Sequence, residues 1–458
     1  MAKNNNLTDF LTDVANAIRS KKGTTDLINP QDFSAEIASI ETGGGGGAAV
    51  VTANDVNFRD YDGTLLHSYT KSQFLALSEL PELPSRIGLT CQGWNWTLND
   101  AKAYVEEYGV LDIGATYITD DGKTRLYITI AAEGRMDVPI SFKQSANGVS
   151  VDWGDGSEAE TFGSTSVNAS HHYGSIGDYV ITLEVLKGSL NLVYSSSTSI
   201  IGPVQTNKSA YSAMLRKVEF GSGVTSIGKY AFNNCYSLSS VVIPNGVTSI
   251  GATAFYYCQS LSSVVIPNSV TSISDSAFYF CQLKLSVVIP NSVTKIGGGL
   301  FNNTFLSSVV IPNSVTSIGA SAFYNCLILS SVVIPNSVTK IGDSAFYGCK
   351  SLSSVVISNN VTSIVGKAFY NCQSLSSVVI PNSVTSIGAS AFYNCRHMAY
   401  YDFRQHTSVP TLSSTNAFSN IASDCKIVVP DALYDEWIAA TNWSTYASNM
   451  IKASEFNG

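Results

Sequence analysis

The stretch "IPNSVTSIGASAFYNC" at residues 311–326 returns unchanged at 380–395, and close variants of it fill the chain from about 215 to 397. Phenylalanines mark the period: they fall at 232, 255, 278, 301, 323, 346, 369 and 392, spaced by 23 residues except for one 22-residue step between Phe301 and Phe323. Self-similarity at such a fixed period is the mark of a solenoid. In each unit of the type "LSSVVIPNSVTSIGASAFYNC" the Leu, alternate Val, Ile, the later Val and Ile, Ala, Phe and Cys are expected to face inward, with Ser, Thr, Asn and Lys outward. A single unit cannot bury that stripe. Stacked units share one core, at ~4.8 Å per coil where strands pair. Proline after each short strand ends it, and Gly after the second Ile is read as letting the backbone turn.

Departures from the repeat are expected to make locally weaker coils: Lys284-Leu285 inverts the usual Leu-Ser order, Thr304 replaces the cysteine and Ser358 replaces the proline. After Cys395 the pattern decays into "NAFSNIASDCKIVVPDALYDEWIAATNW" at 416–443, whose tryptophan-bearing end is expected to shield the last coil as a cap over 398–458. Of nine cysteines, seven (Cys235, Cys258, Cys281, Cys326, Cys349, Cys372 and Cys395) occupy one repeat position. One small buried thiol per coil is the preferred reading, with disulfides or metal as the alternative.

Outside the repeat the chain changes character, and the fold class expected is a multidomain α+β protein. Residues 7–21 carry Leu7, Phe10, Leu11, Val14 and Ile18 at helical spacing, and a second short helix has Phe33, Ile37 and Ile40 on one face. Two such helices need self-association or a partner to bury their stripes, so 1–42 is read as a docking or oligomerisation segment, here as a homotrimer. Gly43 to Gly47 form a flexible linker, within 43–49. Residues 50–132 read as a small α+β module, 133–190 as a β-sandwich with Gly, Ser and Asn turns, and 191–214 as a spacer before the solenoid at 215–397.

Apolar residues make up 45% of the 458-residue chain and charged ones 13%, with a net charge of −8 and no Lys-Arg run. Nucleic acid and acidic membranes both call for a basic patch, so neither is an expected partner. No segment approaches the ~20 apolar residues of a membrane span. The N-terminus is without the uninterrupted apolar region of a secretory signal, so synthesis in a cytoplasm is expected.

Catalytic signals are few. Asp60-Tyr61-Asp62-Gly63-Thr64 matches the first motif of haloacid-dehalogenase-like hydrolases, in which an Asp attacks phosphate beside magnesium. Too few residues lie between the linker and the β-sandwich for the doubly wound core such an enzyme needs, so a β-turn is preferred. His67, His397 and His406 stand alone, His171-His172 is a pair, and no metal constellation or cofactor is expected. Asp152 and Asp155 could bind calcium, with a turn of solvated carboxylates preferred. The chain is therefore read as a non-enzyme.

Binding surface remains. The repeat strands should expose a serine row (Ser240, Ser263, Ser286, Ser308, Ser331, Ser354, Ser377) and a valine row (Val242, Val265, Val288, Val310, Val333, Val356, Val379). A column of Tyr256, Tyr279, Tyr324, Tyr347, Tyr370 and Tyr393 follows the Ala-Phe pairs, broken by Asn233 and Asn302. It suits either glycan and protein contact or packing between coils.

The unit L-S-S-V-V-I-P-N-S-V-T-S-I-G-x-x-A-F-x-x-C resembles the BspA-like class of bacterial leucine-rich repeats, which implies a solenoid that binds by its surface, as in cell-surface adhesins. Residues 151–185, with Trp153, Gly154, Asp155, Gly156, His172, Tyr173, Gly177 and Tyr179, resemble a polycystic-kidney-disease-type (PKD) domain, which implies an immunoglobulin-like spacer. "LTDVANAIRSKKGTTDLINPQDFSAEIASI" and the block from "FRDYDGTLLHSYT" to "EEYGVLDIG" resemble segments of phage and prophage tail-fibre proteins. Together these resemblances imply a virion receptor-binding protein that docks on tail or baseplate proteins by its N-terminus and recognises a bacterial surface glycan or protein by its solenoid. A cell-surface adhesin is the alternative.

Overall fold

The computed structural model describes residues 55–144, 148–192, 200–201, 211, 213–283 and 287–456. The expected helices of 7–40, with Phe10, Leu11, Val14, Ile18, Phe33 and Ile37, and the glycine linker lie outside the described residues.

The first element group is a four-stranded sheet. Strand β1 (Val56–Arg59) turns through Asp60–Thr64 into β2 (Leu65–Tyr69); helix α1 (Lys71–Leu75), β3 (Leu89–Trp94), helix α2 (Leu98–Tyr108) and β4 (Leu111–Thr119) follow, in the spatial order β2-β1-β4-β3. β1 runs parallel to β4 and antiparallel to β2. Helix α2 starts at Thr97, whose side chain accepts from the Asp100 N–H, and stops at Gly109 in the left-handed region (φ 84°). Its buried Ala101, Tyr104 and Val105 pack with Phe58, Phe74 and Ile113.

Strand β5 (Thr124–Ile130), which the sequence groups with this module, belongs to the next layer pair. It pairs antiparallel with β10 (Gly177–Val185), and β7 (Val149–Asp152) and β8 (Glu160–Phe162) extend that sheet. The facing sheet holds β6 (Asp137–Gln144), β9 (Ser166–His172) and β11 (Leu190–Asn191). Both sheets run on into the solenoid: β5 pairs with β12 (Leu215–Glu219) and β11 with β13 (Val224–Ile227). One hydrophobic core extends from Leu126 through the repeats to Met450. These two sheets are thus hydrogen-bonded to the first repeat strands and share their core.

In the repeats, the phenylalanines form a continuous ladder. Rings of Phe232, Phe255 and Phe278 stack at 5.2 Å, and the series runs on through Phe323, Phe346, Phe369 and Phe392 to Phe418. The thiols of Cys258, Cys281, Cys326, Cys349, Cys372 and Cys395 donate to the carbonyl of the preceding coil's phenylalanine, as Cys349 does to Phe323 (3.1 Å) and Cys372 to Phe346 (3.2 Å). Thr304, where the thiol is replaced, bonds the Phe301 carbonyl of its own coil at 2.8 Å. Ser358, in place of proline, keeps the turn through the bond from Val361 N–H to its carbonyl.

The repeat glycines serve close approach rather than an unusual φ. A Cβ at Gly251 would meet Lys229 N at 2.5 Å, and one at Gly342 would meet Ala320 N at 2.5 Å. Left-handed φ falls instead on the residue before the cysteine, whether Asn (Asn234, Asn325, Asn371, Asn394), an aromatic (Tyr257, Phe280) or Gly348, and again on the residue before the Ala-Phe pair, as at Thr253, Ser321 and Lys367.

The short-strand sheets are interrupted near the departure at 284–285. β14 (Ser240–Val242), β15 (Ser249–Ile250) and β16 (Ser272–Ile273) complete the sheets that start in the sandwich; β17 (Val287–Val288) pairs with the strand Val309–Val310, and β18 (Lys295–Ile296) opens a new six-stranded sheet. A cleft of about 330 Å³ lined by Ser272, Asp275, Lys295 and Gly297 opens between β16 and β18. At the far end, helix α3 (Tyr434–Ala439) and a 3-10 turn at Trp443–Asn449 lay Trp437 and Trp443 against Phe403 at 5.3 and 5.5 Å, closing the core.

Candidate functional site

Alternation along each L-S-S-V-V strand sends one valine inward, as with Val241, Val332 and Val378, and leaves the neighbouring Ser and Val on the opposite face. That outer face has an occupant along its first half. Strand β4 lies along the valine column against the order of the coils: Tyr117 and Ala115 cluster with Val242, Gly114 sits over Val265, and Leu111 and Ile113 share a cluster with Val310. A Cβ at Gly114 would come within 2.7 Å of Val265 Cγ1, so only glycine permits this approach.

Polar groups complete the contact at the turns. Asn95 Nδ2 donates to the Ile266 carbonyl (3.2 Å) and Tyr104 Oη to the Ile311 carbonyl (3.2 Å). Gln92 Oε1 accepts from the Asn245 N–H (2.8 Å), and Glu107 accepts from the amides of Asn313 (3.3 Å) and Asn336 (2.9 Å). Of the residues expected to be exposed, Val242, Ser263, Val265 and Val310 are therefore buried and Ser240 is half-buried. The sequence reading missed this because the occupant lies more than a hundred residues upstream. Gly114, inside the strand-like run "LDIGATYIT", was the available signal of a close approach.

Beyond the module the face is open. Val356 is 56% exposed and Val379 51%, Val333 is half-buried, Ser331 and Ser354 are exposed and Ser377 is half-buried. At one end a cleft of about 190 Å³ has Asp55, Tyr104, Val110 and Asp112 on one side and Ser331 and Val333 on the other. Asp112 is tied to Arg59 Nε at 3.2 Å. At the other end Arg404 clasps Asp402 through Nε (3.0 Å) and Nη2 (2.7 Å), with its guanidinium 5.7 Å from the Phe456 ring. Between these ends the valine and serine columns carry no charged side chain.

The tyrosine column is arranged differently. Tyr324, Tyr347, Tyr370 and Tyr393 stack face to face at 4.5, 4.6 and 4.8 Å, and Tyr256 stacks on Tyr279 at 4.8 Å. All six are half-buried. Within the stacks the ring faces contact one another, which leaves edges and hydroxyls at the surface instead of platforms for a sugar ring. Burial and the neighbouring Tyr324 phenol push the Tyr347 hydroxyl above its ordinary range.

The remaining chemical candidates are engaged structurally. Asp60 is buried and bonds Arg86 Nε at 2.7 Å, while Asp62 accepts from the Thr64 N–H within the turn. Asp152 accepts from the Gly154 N–H, and Asp155 from Ser157 and from His171 Nε2 (2.8 Å). Burial opposes ionisation of Asp155, but the bonds from His171 and Ser157 outweigh it and bring its pKa to about 2. His171 stacks on Trp153 at 4.8 Å, and Tyr173 Oη donates to the Trp153 carbonyl. Burial pushes the thiols of Cys258, Cys349 and Cys372 well above their ordinary range. Among the described residues no group of three or more His, Cys, Asp or Glu is placed to hold a metal ion, and no helix is long and apolar enough to cross a membrane.

Comparison with known proteins matches the family described as BspA type leucine rich repeat region, in six copies over residues 204–329 and 316–434. No curated protein matches. Among solved structures, a leucine rich cell surface protein from Faecalibacterium prausnitzii is 27% identical, covering 58% of this chain and 90% of its own, with a TM-score of 0.37. A leucine-rich repeat protein from Bacteroides ovatus is 23% identical (51% and 76% covered, TM-score 0.33), and one from Eubacterium ventriosum is 25% identical (55% and 76%, TM-score 0.34). With the family matched over half of its length, and with the inward Leu, Val, Ile, Phe and Cys ladders that define each coil, this chain belongs to the BspA-type leucine-rich repeat proteins.

Proposed function

We propose that the protein is a non-enzymatic binding protein of the bacterial cell surface, which recognises a surface glycan or protein through the open part of its serine and valine face. The observation that carries this reading is the uncharged strip from Val333 to Val379, exposed between the docked module and the Asp402–Arg404 pair. Exposed apolar side chains grouped on a flat sheet mark interaction surfaces. The cell-surface setting is supported by membership of the repeat family. The likeness of residues 151–185 to PKD-type spacers supports a supporting role for the sandwich layers. The engaged carboxylates of Asp60 and Asp62 support a non-catalytic reading of the Asp-Tyr-Asp-Gly-Thr turn.

The test is binding of the labelled full chain to panels of bacterial cells, host cells and immobilised glycans, beside Val356→Asp and Val379→Asp variants of unchanged melting temperature. Binding that falls about tenfold or more in the variants is expected, since a charge placed in a desolvated contact acts as a hot spot. Binding unaffected by either substitution would remove the face from the mechanism. A virion receptor-binding protein is the second reading, favoured by the likeness of the N-terminal segment and of the 58–114 block to tail-fibre proteins. It predicts a trimer in light scattering that becomes monomeric on removal of residues 1–42. A monomer in both forms counts against it.

A further inference from the structure

The geometry points to an extended polypeptide segment of a partner protein as the ligand of the open strip, laid along Val333, Val356 and Val379 as β4 is laid along the preceding valines. This inference rests on the binding reading above and narrows its ligand class.

The covered half of the face shows what the repeat surface accepts. Its occupant is a strand in extended conformation running along the valine column, with a residue lacking Cβ where it passes closest, over Val265. Each coil adds the same rim atoms: the Ile carbonyls take an amide or phenol donor at Ile266 and Ile311, and the Asn after the proline bonds Gln92 or Glu107 at Asn245 and Asn313. The open coils continue the valine column, and at its far end His406 Nε2 already meets the Ile380 carbonyl and the Thr407 N–H donates to Asn382 Oδ1. Val356 and Val379 extend the column, and Asn359 and Asn382 are exposed at the rim position.

Size decides among occupants. From Val333 to Asp402 is three coil steps, roughly 14 Å, which accommodates four or five residues of extended chain. Such a strip offers at most a few hundred Å², below the ~800 Å² per partner of a stable interface between folded proteins. A second copy of this chain packed face to face would bury too little, and the stacked tyrosines lie elsewhere, so no aromatic platform serves a glycan here. A short segment with small and aliphatic residues alternating, and a Gln, Asn or Glu side chain towards the asparagine rim, matches the chemistry the module already uses.

The experiment is selection of a random nine-residue peptide library on the immobilised full-length protein, followed by fluorescence anisotropy of the enriched peptides. Peptides alternating small and aliphatic residues are expected, with affinity lowered about tenfold or more by Val356→Asp or Val379→Asp and unchanged by Thr339→Asp on the other sheet, all three variants being checked for unaltered melting. No enrichment, or enriched peptides indifferent to Val356→Asp and Val379→Asp, overturns the inference. If glycans or cells bind through these valines while peptides do not, the peptide assignment falls and the binding function stands; if no probe depends on them, both fall.

Discussion

Replacing Phe346 by alanine tests the physical basis of the repeat. The ring is fully buried and stacked between Phe323 (5.1 Å, planes 5° apart) and Phe369 (5.3 Å, 2°). Truncating a buried phenylalanine costs ~3–5 kcal/mol, and two ring contacts at ~0.5–1.5 kcal/mol each place this position in the upper part of that range. Coils couple only to their neighbours, so the loss should be local. Hydrogen exchange read by mass spectrometry is the suitable assay, because a chain of this length need not unfold in a single step. Amides that bridge these coils, Phe323 to Ala345 and Phe346 to Ala368, should exchange faster by two or more orders of magnitude, about what ~3 kcal/mol implies, while those of β5 and β10 keep their protection. A Phe323→Ala, Phe346→Ala double variant should cost less than the sum of the two, by about 0.5–1.5 kcal/mol, since one stack is lost twice in the sum. A cost below ~1 kcal/mol, or protection lost evenly from end to end, would refute the ladder as the stabilising element.

Gly114→Val should lift β4 from Val265 at a cost of ~1–3 kcal/mol, read as faster limited proteolysis within 55–119 with the repeats still protected. A thiol reagent at pH 8 should reach at most Cys91 in the native protein and all nine cysteines after denaturation, because Cys91 alone is half-buried and the other eight are buried. Acid should weaken the sandwich layers. Asp155, held at about 2, contributes stability above the unfolded carboxylate value near 4 that is lost as pH falls through 2, and Asp155→Asn should flatten that part of the pH profile.

The repeat was legible because its signal is both periodic and local. Phe232, Cys235 and their copies recur at one spacing, and inward and outward positions follow from alternation along each strand. Legibility fell wherever a residue's partner lies far away in sequence. Thr124–Ile130 reads as a strand, but its pairing with β10 and β12 depends on residues some fifty and ninety positions later. Ser263 and Val265 read as exposed from their own unit alone, and contacts from Tyr61 and Gly114 bury them. The repeat glycines after the second Ile read as turn residues, whereas the coils press on them and the left-handed positions fall elsewhere in the unit, as at Thr253, Tyr257 and Asn371. For the tyrosine column, ring stacking, a property of neighbouring units, determines which of its surfaces faces out.

The solenoid is closed at both ends by elements unlike its repeats: the preceding sheets continue into β12 and β13, and Trp443, packed on Trp437, covers Phe418, the last ring of the phenylalanine ladder. The coil that carries Val356 lies between these closures, while the next, with Val379, is bonded to the cap by His406 and Thr407. Duplicating or deleting one 23-residue unit at the Val356 coil would leave both ends and the docked module undisturbed, while lengthening or shortening the open strip by one valine, one serine and one rim asparagine, or about 4.8 Å. The architecture thereby makes reach a heritable variable separate from stability, adjustable by unequal recombination between nearly identical gene segments, without any change to the chemistry of a single coil.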